Sequence, residues 1–297
     1  MQSLRDALKQ SERDGTAIGH FNVSDWVLLK AVSASGQELE VPVVVGASEG
    51  EREFIGVRQI AAVVRSLREE RDCPIFLNAD HTHTLPKAVE AAKAGFDAIV
   101  FDLSALPFDQ NVRQTKEAVE ALKAINPAIL VEGEIGDIGT GSEIHEEAPD
   151  LSRGLTSPAE AKQFVESTGV DILAPAVGNM HGMLKSMVQG QTRKRLDIHR
   201  IAEIKNAAQV PLTLHGRSGT DDEDLRKRSP LGSISSTSIP SCGSPGDVAL
   251  KRAWPNSPTR SSLIRFCRSQ WNRWRRSRAR ACSSLMPTGD SSFPSPL

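Results

Sequence analysis

Histidine and glutamate side chains stand at the ends of several apolar, β-branched runs of this sequence. They are His81 in PIFLNADHT, Glu132 and Glu134 in AILVEGEIG, His181 after DILAPAVG, and His215 in PLTLHG. Three imidazoles and a carboxylate form a Zn-type ligand set that leaves one position open for substrate. Any one of these histidines alone is more simply a hydrogen-bonded or surface residue, but their recurrence at strand ends favours a metal site.

The remaining histidines have no such support. They are His20, His83, His145 and His199, and the pattern around His199 predicts a helix surface.

A second group of residues could bind phosphate. HGRSGT (215–220) places small residues directly after a strand run, where successive backbone N–H groups can approach an anion closely. A strand-to-helix turn capped by Ser or Thr explains the same residues equally well. VGNMHGM (177–183) is a weaker signal, because glycines around a histidine also occur in ordinary loops.

The elements that must position these groups alternate between strand and helix. Seven runs are predicted as strands: 17–23, 41–48, 74–82, 98–102, 128–136, 171–178 and 211–216. The segments between them repeat apolar residues at helical spacing, and Ser157-Pro158, Gly95 and Gly169 supply helix-end signals. Strands buried on both faces and alternating with helices predict an α/β fold, the (β/α)8 TIM barrel, whose strand ends converge on one face. We expect its eighth strand and helix to be missing, or replaced by a disordered tail, because no pattern for them follows residue 227.

The charge of the chain is distributed unevenly. The sequence is 39% hydrophobic and 25% charged with a net charge of −1, yet residues 228–297 carry ten Arg and one Lys against two Asp. Residues 1–227 are therefore acidic, which disfavours nucleic acid as a partner. Only Cys73 precedes residue 228, and there is no leader-like start and no long apolar run, so we expect a cytoplasmic protein with no membrane partner.

Five motifs, in this order, resemble the class II, metal-dependent ketose-bisphosphate aldolases, the fructose- and tagatose-bisphosphate group. They are FNVSD (21–25), LNADHT (77–82), VEGEIGDIGTGSE (131–143), GNMHG (178–182) and LHGRSGTDDEDLRK (214–227). The resemblance covers residues 1–227. It implies a lyase of glycolysis or related carbohydrate metabolism that reversibly cleaves a ketose 1,6-bisphosphate. The products are dihydroxyacetone phosphate and an aldehyde phosphate, formed through a Zn-stabilised enediolate.

The same resemblance assigns roles to individual residues. It implies that His81, His181 and His215 bind a catalytic Zn²⁺ and that Glu134 can hold the metal in an alternative position. Asp80 matches the acid/base that exchanges the proton of the hydroxyl at the cleaved bond, although an Asp beside a metal-bound His could instead orient that His. Glu143, displaced by one position, is the nearest match to the loop residue that moves the second proton, with Glu146 as the alternative.

Further implications concern substrate, cofactors and assembly. The resemblance implies substrate or phosphate contacts by Asn22, Ser48, Gly182, Gly216, Ser218 and Gly219. It admits a monovalent cation beside the catalytic Zn²⁺, and it implies a homodimer or homotetramer if the barrel is complete. Two other hypotheses stay open: an inactive metal- or phosphate-binding remnant of the family, and another metal-dependent barrel enzyme such as an epimerase.

The chain departs from the family pattern in two places. Arg217 stands where the family has a second glycine, and a side chain there could block close approach of a phosphate or add a charged contact to it. After Lys227 the family continues with a helix and a strand of the type KINVNT, whereas this chain has RSPLGSISSTSIPSCG.

A frameshift near Lys227 explains the second departure. Codons permitted for ISSTSIPSCG (234–243), read in another frame, encode KFNVNTELR, which is the expected strand. We therefore divide the chain into an incomplete aldolase-type barrel (1–227) and a Ser/Arg/Pro-rich, disordered tail (228–297). A genuine basic extension is the alternative, and RWRRSRAR (273–280) would then suit a nucleotide.

Overall fold

The computed structural model describes residues 2–71, 74–136, 144–145, 154–180, 183–184, 193–216, 220, 224 and 233–237. Within them the helices are α1 (Leu4–Arg13), α2 (Trp26–Glu38), α3 (Glu49–Ile55), α4 (Val57–Arg71), α5 (Leu85–Ala94), α6 (Phe108–Ile125), α7 (Pro158–Thr168) and α8 (Ile198–Ala208). The described helices include none that is both long and apolar enough to cross a membrane.

The strands form a closed parallel barrel with a small two-stranded sheet beside it. The barrel strands are β1 (Ala17–Asn22), β2 (Val43–Ala47), β3 (Ile75–Thr82), β4 (Ala98–Phe101), β5 (Leu130–Ile135), β7 (Ile172–Pro175), β9 (Leu212–Leu214) and β10 (Ser233–Thr237). Their order around the barrel is β1-β10-β9-β7-β5-β4-β3-β2. Outside it, β6 (Ile144–His145) pairs with β8 (Met183–Leu184). The (β/α)8 class and all seven predicted strands are confirmed.

The eighth barrel position differs from the sequence-based expectation. We expected no strand after residue 227, but the backbone of β10 pairs in parallel with β1, from Ala17 opposite Ser233 to Phe21 opposite Thr237, and with β9 on its other side. Ladder hydrogen bonds use backbone groups that every residue except proline offers, so a proline-free segment can pair even without apolar alternation. The eighth strand position is therefore occupied, and the expectation of a missing strand is wrong on this point. Residues 238–297 lie outside the described part of the chain.

The described helix ends follow the local sequence signals. Ser157 and Glu160 form a reciprocal capping box at the start of α7, and Gly169 ends this helix in the left-handed conformation with φ of 73°. Gly95 ends α5 in the same region of backbone space. These ends fix where the chain turns back toward the barrel.

The barrel strands place alternate residues inside and outside. Outward-facing side chains such as Val45, Leu77 and Leu173 belong to the large apolar layer between strands and helices. A second cluster fills the amino-terminal end of the barrel, where α1 closes it: Leu4, Ala7, Leu8, Ile18, Val44, Phe76, Ala98, Leu130 and Ile172. Because every second side chain of a strand points inward, the next inward positions along each strand lie nearer its carboxyl end.

Candidate metal centre

The inward-facing positions change from apolar to polar toward the carboxyl ends of the strands. Two residues beyond the apolar cluster, the strands carry His20 after Ile18, Asn78 after Phe76 and Glu132 after Leu130, and one step further they carry Asn22, Asp80 and Glu134. All six of these polar side chains are buried. The barrel therefore concentrates charge at its carboxyl end, where active sites of this fold lie.

Gly46 leaves room for these polar groups. It pairs with Asn22 on one side and Asn78 on the other. A Cβ atom at Gly46 would collide with Cε1 of His20 and lie 2.8 Å from Oδ1 of Asn22, closer than real contacts allow. Only glycine fits between the side chains of β1 and β3.

His81 occupies an irregularity at the end of β3. The strand register relative to β4 shifts between Ala79 and Thr82, and His81 itself has a φ of 36°, in the region that side-chain-bearing residues rarely adopt. Its Nδ1 lies 2.8 Å from Oδ2 of Asp102, which directly follows β4. Asp102 in turn accepts hydrogen bonds from the backbone N–H and the hydroxyl of Ser104. Strain held in place by neighbours at a polar cluster is typical of functional sites.

Asp80 lies beside His81 and is held by β1. The side-chain amide of Asn22 donates to Oδ2 of Asp80 over 2.8 Å. The other oxygen, Oδ1, is 3.9 Å from Nε2 of His81 and is buried with no hydrogen-bond partner in the described part of the chain. One oxygen of this carboxylate is thus oriented by the protein, and the other faces the cluster.

His215 is anchored across the barrel by Glu132. Its Nε2 lies 2.7 Å from Oε1 of Glu132, whose second oxygen accepts a hydrogen bond from the hydroxyl of Thr213. The imidazole rings of His81 and His215 approach to 4.6 Å between centroids. The ends of β3, β5 and β9 therefore meet in one cluster, which contains His81, Glu134 and His215.

Two sets of potential metal ligands share His81. Asp80, His81 and His215 form one set, and His81, Asp102 and Glu134 form the other; within each set the ligand atoms lie within 4.8 Å of one another. Oε2 of Glu134, like Oδ1 of Asp80, is buried without a hydrogen-bond partner among the described residues. Leaving such oxygens buried and unpaired is costly, so the donor set fits a bound cation.

Burial and neighbouring charges perturb the protonation of this cluster. Burial, reinforced by Asp102, raises the pKa of Glu134 to about 7. Burial also acts to raise the pKa of Asp80, but the imidazoles, first of all that of His81, outweigh it and hold this pKa well below its usual range. Burial acts to lower the pKa of His81, but Asp80, Asp102 and Glu134 raise it to about 10. Asp80 and His81 therefore hold each other in their charged forms, whereas Glu134 binds its proton more tightly than an exposed carboxyl does.

The structure places some of the predicted site residues and not others. Asn22 contacts Asp80, as described above. Ser48 caps α3, and its hydroxyl donates to Glu51 over 2.8 Å. Gly216 follows β9 with a φ of 63°. Glu143, His181, Gly182, Ser218 and Gly219, as well as Glu146 and Arg217, lie outside the described residues.

Several residues of the site were not singled out from the sequence. Asp102 was overlooked although it directly follows the strand AIVF, at the carboxyl end of the barrel. His20 is buried, with Nε2 3.1 Å from the amide nitrogen of Asn78, although its position had suggested no role. His199 lies on the helix surface with an 84% exposed side chain, as predicted.

A buried lysine joins two of the loops at the site. Nζ of Lys194 donates to the carbonyl oxygens of Met180, over 2.6 Å, and Gly216, over 2.9 Å. Burial lowers the pKa of Lys194 to about 7. No periodicity or motif in its neighbourhood distinguished this lysine from a solvated one.

Known proteins resemble the chain in sequence and in fold. Residues 2–235 match the family described as fructose-bisphosphate aldolase class-II. Fructose-bisphosphate aldolase of Staphylococcus aureus is 32% identical over 235 residues, 77% of this chain and 78% of that protein. The enzyme of the same name from Thermus caldophilus is 33% identical over 218 residues, 73% of this chain and 69% of that protein. In a crystal structure, the YdjI aldolase of Escherichia coli K12 superposes with a TM-score of 0.68 at 27% identity, covering 80% of this chain and 81% of that one.

Fold and site together define a (β/α)8 barrel with a candidate divalent-metal centre at the carboxyl ends of its strands. The chain belongs to the class II fructose-bisphosphate aldolase family. The resemblance seen in its motifs is confirmed, and the matched region ends within β10.

Proposed function

We propose that this protein is a metal-dependent aldolase. It reversibly cleaves a ketose 1,6-bisphosphate, fructose or tagatose 1,6-bisphosphate, to dihydroxyacetone phosphate and an aldehyde phosphate. The observation that carries the proposal is the cluster of Asp80, His81 and His215, whose ligand atoms lie within 4.8 Å of one another at the active end of an aldolase-family barrel.

The metal is proposed to be Zn²⁺, since imidazole and carboxylate ligands in a small set suit it. His81, His215 and His181 would hold it, with Glu134 and Asp102 offering an alternative position on the other side of His81. When bound, a divalent metal supplies a Lewis acid for negative charge that develops on substrate oxygen. No lysine nucleophile is required for this chemistry. From the family resemblance alone, we also propose a monovalent cation as a second cofactor.

Asp80 is the proposed acid/base at the cleaved bond. Asn22 holds its Oδ2, which leaves Oδ1 to face the cluster and to exchange a proton with the substrate hydroxyl. The carboxylate of Asp80 is thus oriented through one oxygen, and its other oxygen is available for proton transfer.

The remaining assignments concern the substrate phosphates and the second proton. We assign phosphate contacts to the backbone at Gly182, Gly216, Ser218 and Gly219, and movement of the second proton to Glu143. We assign a substrate contact to Asn22, whose side chain lies beside that of Asp80. The hydroxyl of Ser48 donates to Glu51 while it caps α3, so a contact of this hydroxyl with substrate would use its remaining acceptor lone pair.

We further propose a cytoplasmic homodimer or homotetramer. The cysteine distribution supports the compartment, and family membership supports the assembly. Residues 228–297 are proposed to derive from a frameshift near Lys227, which is consistent with a family match that ends at residue 235.

An inert metal- or phosphate-binding remnant of the family is a second candidate. The observation that favours it is the extent of the match, which reaches only 78% of the Staphylococcus aureus protein and stops within β10. In this case the metal centre would persist without turnover.

The test is aldol cleavage by the full chain, followed through dihydroxyacetone phosphate. Fructose and tagatose 1,6-bisphosphate are compared side by side, with zinc added and after chelation. The aldolase proposal expects zinc-dependent cleavage of at least one of them. Zinc binding without cleavage of either supports the remnant, and cleavage that persists after complete chelation contradicts the metal-dependent mechanism.

A further inference from the structure

Arg52 is a buried cation beside the metal centre to which no role has been given. It lies on α3 and exposes only 2% of its surface. The Ser48–Glu51 capping box fixes the start of this helix, so the position of the following residue is set by local structure. The guanidinium is thereby directed between the ends of β2 and β3.

The guanidinium binds both strands. One nitrogen donates to the carbonyl oxygen of Ala47, the last residue of β2, and also to that of Asp80 over 3.1 Å. The other terminal nitrogen donates to the hydroxyl of Thr82 over 3.0 Å. The hydroxyl of Thr82 donates in turn to the carbonyl oxygen of Ala79 over 3.2 Å.

These contacts enclose the irregularity of β3. Arg52 binds the residue before His81 and the residue after it, and the Thr82–Ala79 hydrogen bond spans the segment in which the register shifts. His81, in the middle, has the unfavourable φ of 36°. Such a conformation persists only where surrounding interactions hold it.

We propose that Arg52 is a positioning residue that holds this bulge in the form in which Asp80 and His81 face the metal. The inference deepens the proposed function and rests on the proposed metal site. Arginine is suited to this position because its planar fork can bind several fixed acceptors at once, whereas a lysine ammonium lacks that geometry.

A matched control is present at the opposite end of the same strand. Arg68 donates to the carbonyl oxygen of Ile75, the first residue of β3, over 2.8 Å, and to Asp97 over 2.6 Å. It therefore also joins β3 to its surroundings, but at the amino-terminal end of the barrel. If Arg52 only joined β3 to its surroundings, its loss, like that of Arg68, would lower stability without a specific effect on zinc binding.

The experiment compares Arg52→Met, Arg52→Lys, Thr82→Val and Arg68→Met with the parent full chain. Zinc affinity is measured by competition with a chelator, thermal unfolding is recorded in parallel, and the imidazole resonances of His81 are followed by NMR in the zinc-free protein. We expect zinc affinity to fall about 10- to 100-fold in Arg52→Met, as for other residues that orient metal ligands. The zinc affinity of Arg52→Lys and of Thr82→Val should fall by a smaller factor. Arg68→Met should lose thermal stability while keeping the zinc affinity and the His81 resonances of the parent.

Equal zinc affinity and unchanged His81 resonances in Arg52→Met would overturn the proposal, as would the same losses in Arg68→Met. If Arg52→Met does not fold, the zinc affinity and the His81 resonances of Thr82→Val test the proposal instead. If the parent binds no zinc, the metal site fails, and the His81 resonances alone decide whether Arg52 holds the bulge. Aldol cleavage is assayed separately, so a protein that binds zinc without turnover refutes the aldolase function and leaves the test of Arg52 intact.

Discussion

Oε1 of Glu132 lies 2.7 Å from Nε2 of His215, and both side chains are buried in the barrel. This hydrogen bond fixes the ring of His215 and makes Nδ1 the nitrogen that can bind a metal. The hydroxyl of Thr213 holds the second oxygen of Glu132, so the carboxylate itself is fixed from the same strand as His215. A carboxylate that orients a metal-binding imidazole strengthens the metal site without touching the ion.

Removing the charge of Glu132 should therefore weaken metal binding. We expect Glu132→Gln to lower zinc affinity about 10- to 100-fold, because Gln provides only one acceptor for its two present donors and no charge. Chelator competition measures this affinity, with the exposed Glu120→Gln on α6 as the control. Unchanged zinc affinity in Glu132→Gln would show that His215 is oriented by other groups or does not bind the metal.

The raised pKa of Glu134 predicts a pH-dependent stability of the zinc-free protein. Its pKa is about 7 in the folded protein against an ordinary 4.5, so the folded state holds this proton more tightly than the unfolded state. The stabilisation is fully present below pH 4.5 and is lost as the pH rises through about 7. Glu134→Gln lacks this titration.

Urea unfolding of the two proteins in chelator, at about pH 5 and about pH 8, measures this effect. The stability of the parent relative to Glu134→Gln should fall by about 2 kcal/mol between the two conditions. A difference that stays constant, or that grows with pH, would mean that Glu134 is ionised in the folded protein throughout this range.

The sequence predicted most of the fold because burial leaves a strong pattern. Runs such as PIFLNADHT and AILVEGEIG are apolar along their length, and their polar residues mark the ends of strands that the fold brings together. β10 was not predicted because SISST has neither apolar alternation nor a helical period. Its pairing depends on backbone groups that leave no trace in side-chain type.

The sequence predicted those site residues whose type alone indicates their chemistry. It did not predict those whose role depends on backbone conformation or burial. His81 and His215 were identified as imidazoles at strand ends. The φ of His81 could not be anticipated, because it depends on hydrogen bonds from Arg52, on α3, to Asp80 and Thr82 on either side of it. Arg52 and Lys194 are ordinary residues in sequence, and only tertiary burial distinguishes them.

The frameshift proposal predicts that restoring the reading frame improves the protein. Inserting one base near the Lys227 codon should replace residues 228–297 with a strand of the type KFNVNT and a following helix. Larger apolar burial at β10 should raise the thermal unfolding temperature, and cleavage should increase, further so when Arg217 is also changed to Gly. Scanning calorimetry and the cleavage assay compare the two chains. A restored chain that is less stable and no more active would favour a genuine tail.

Turnover by Asp80→Ala tests the central claim most directly, because it separates proton transfer from metal binding at one residue. The variant and its parent are both prepared with the restored reading frame. Their zinc content is measured, and their aldol cleavage rates are compared at saturating substrate. The account predicts unchanged zinc content and a turnover lower by about two to four orders of magnitude, as for the loss of a general acid/base. Turnover equal to that of the parent, with zinc retained, would contradict it.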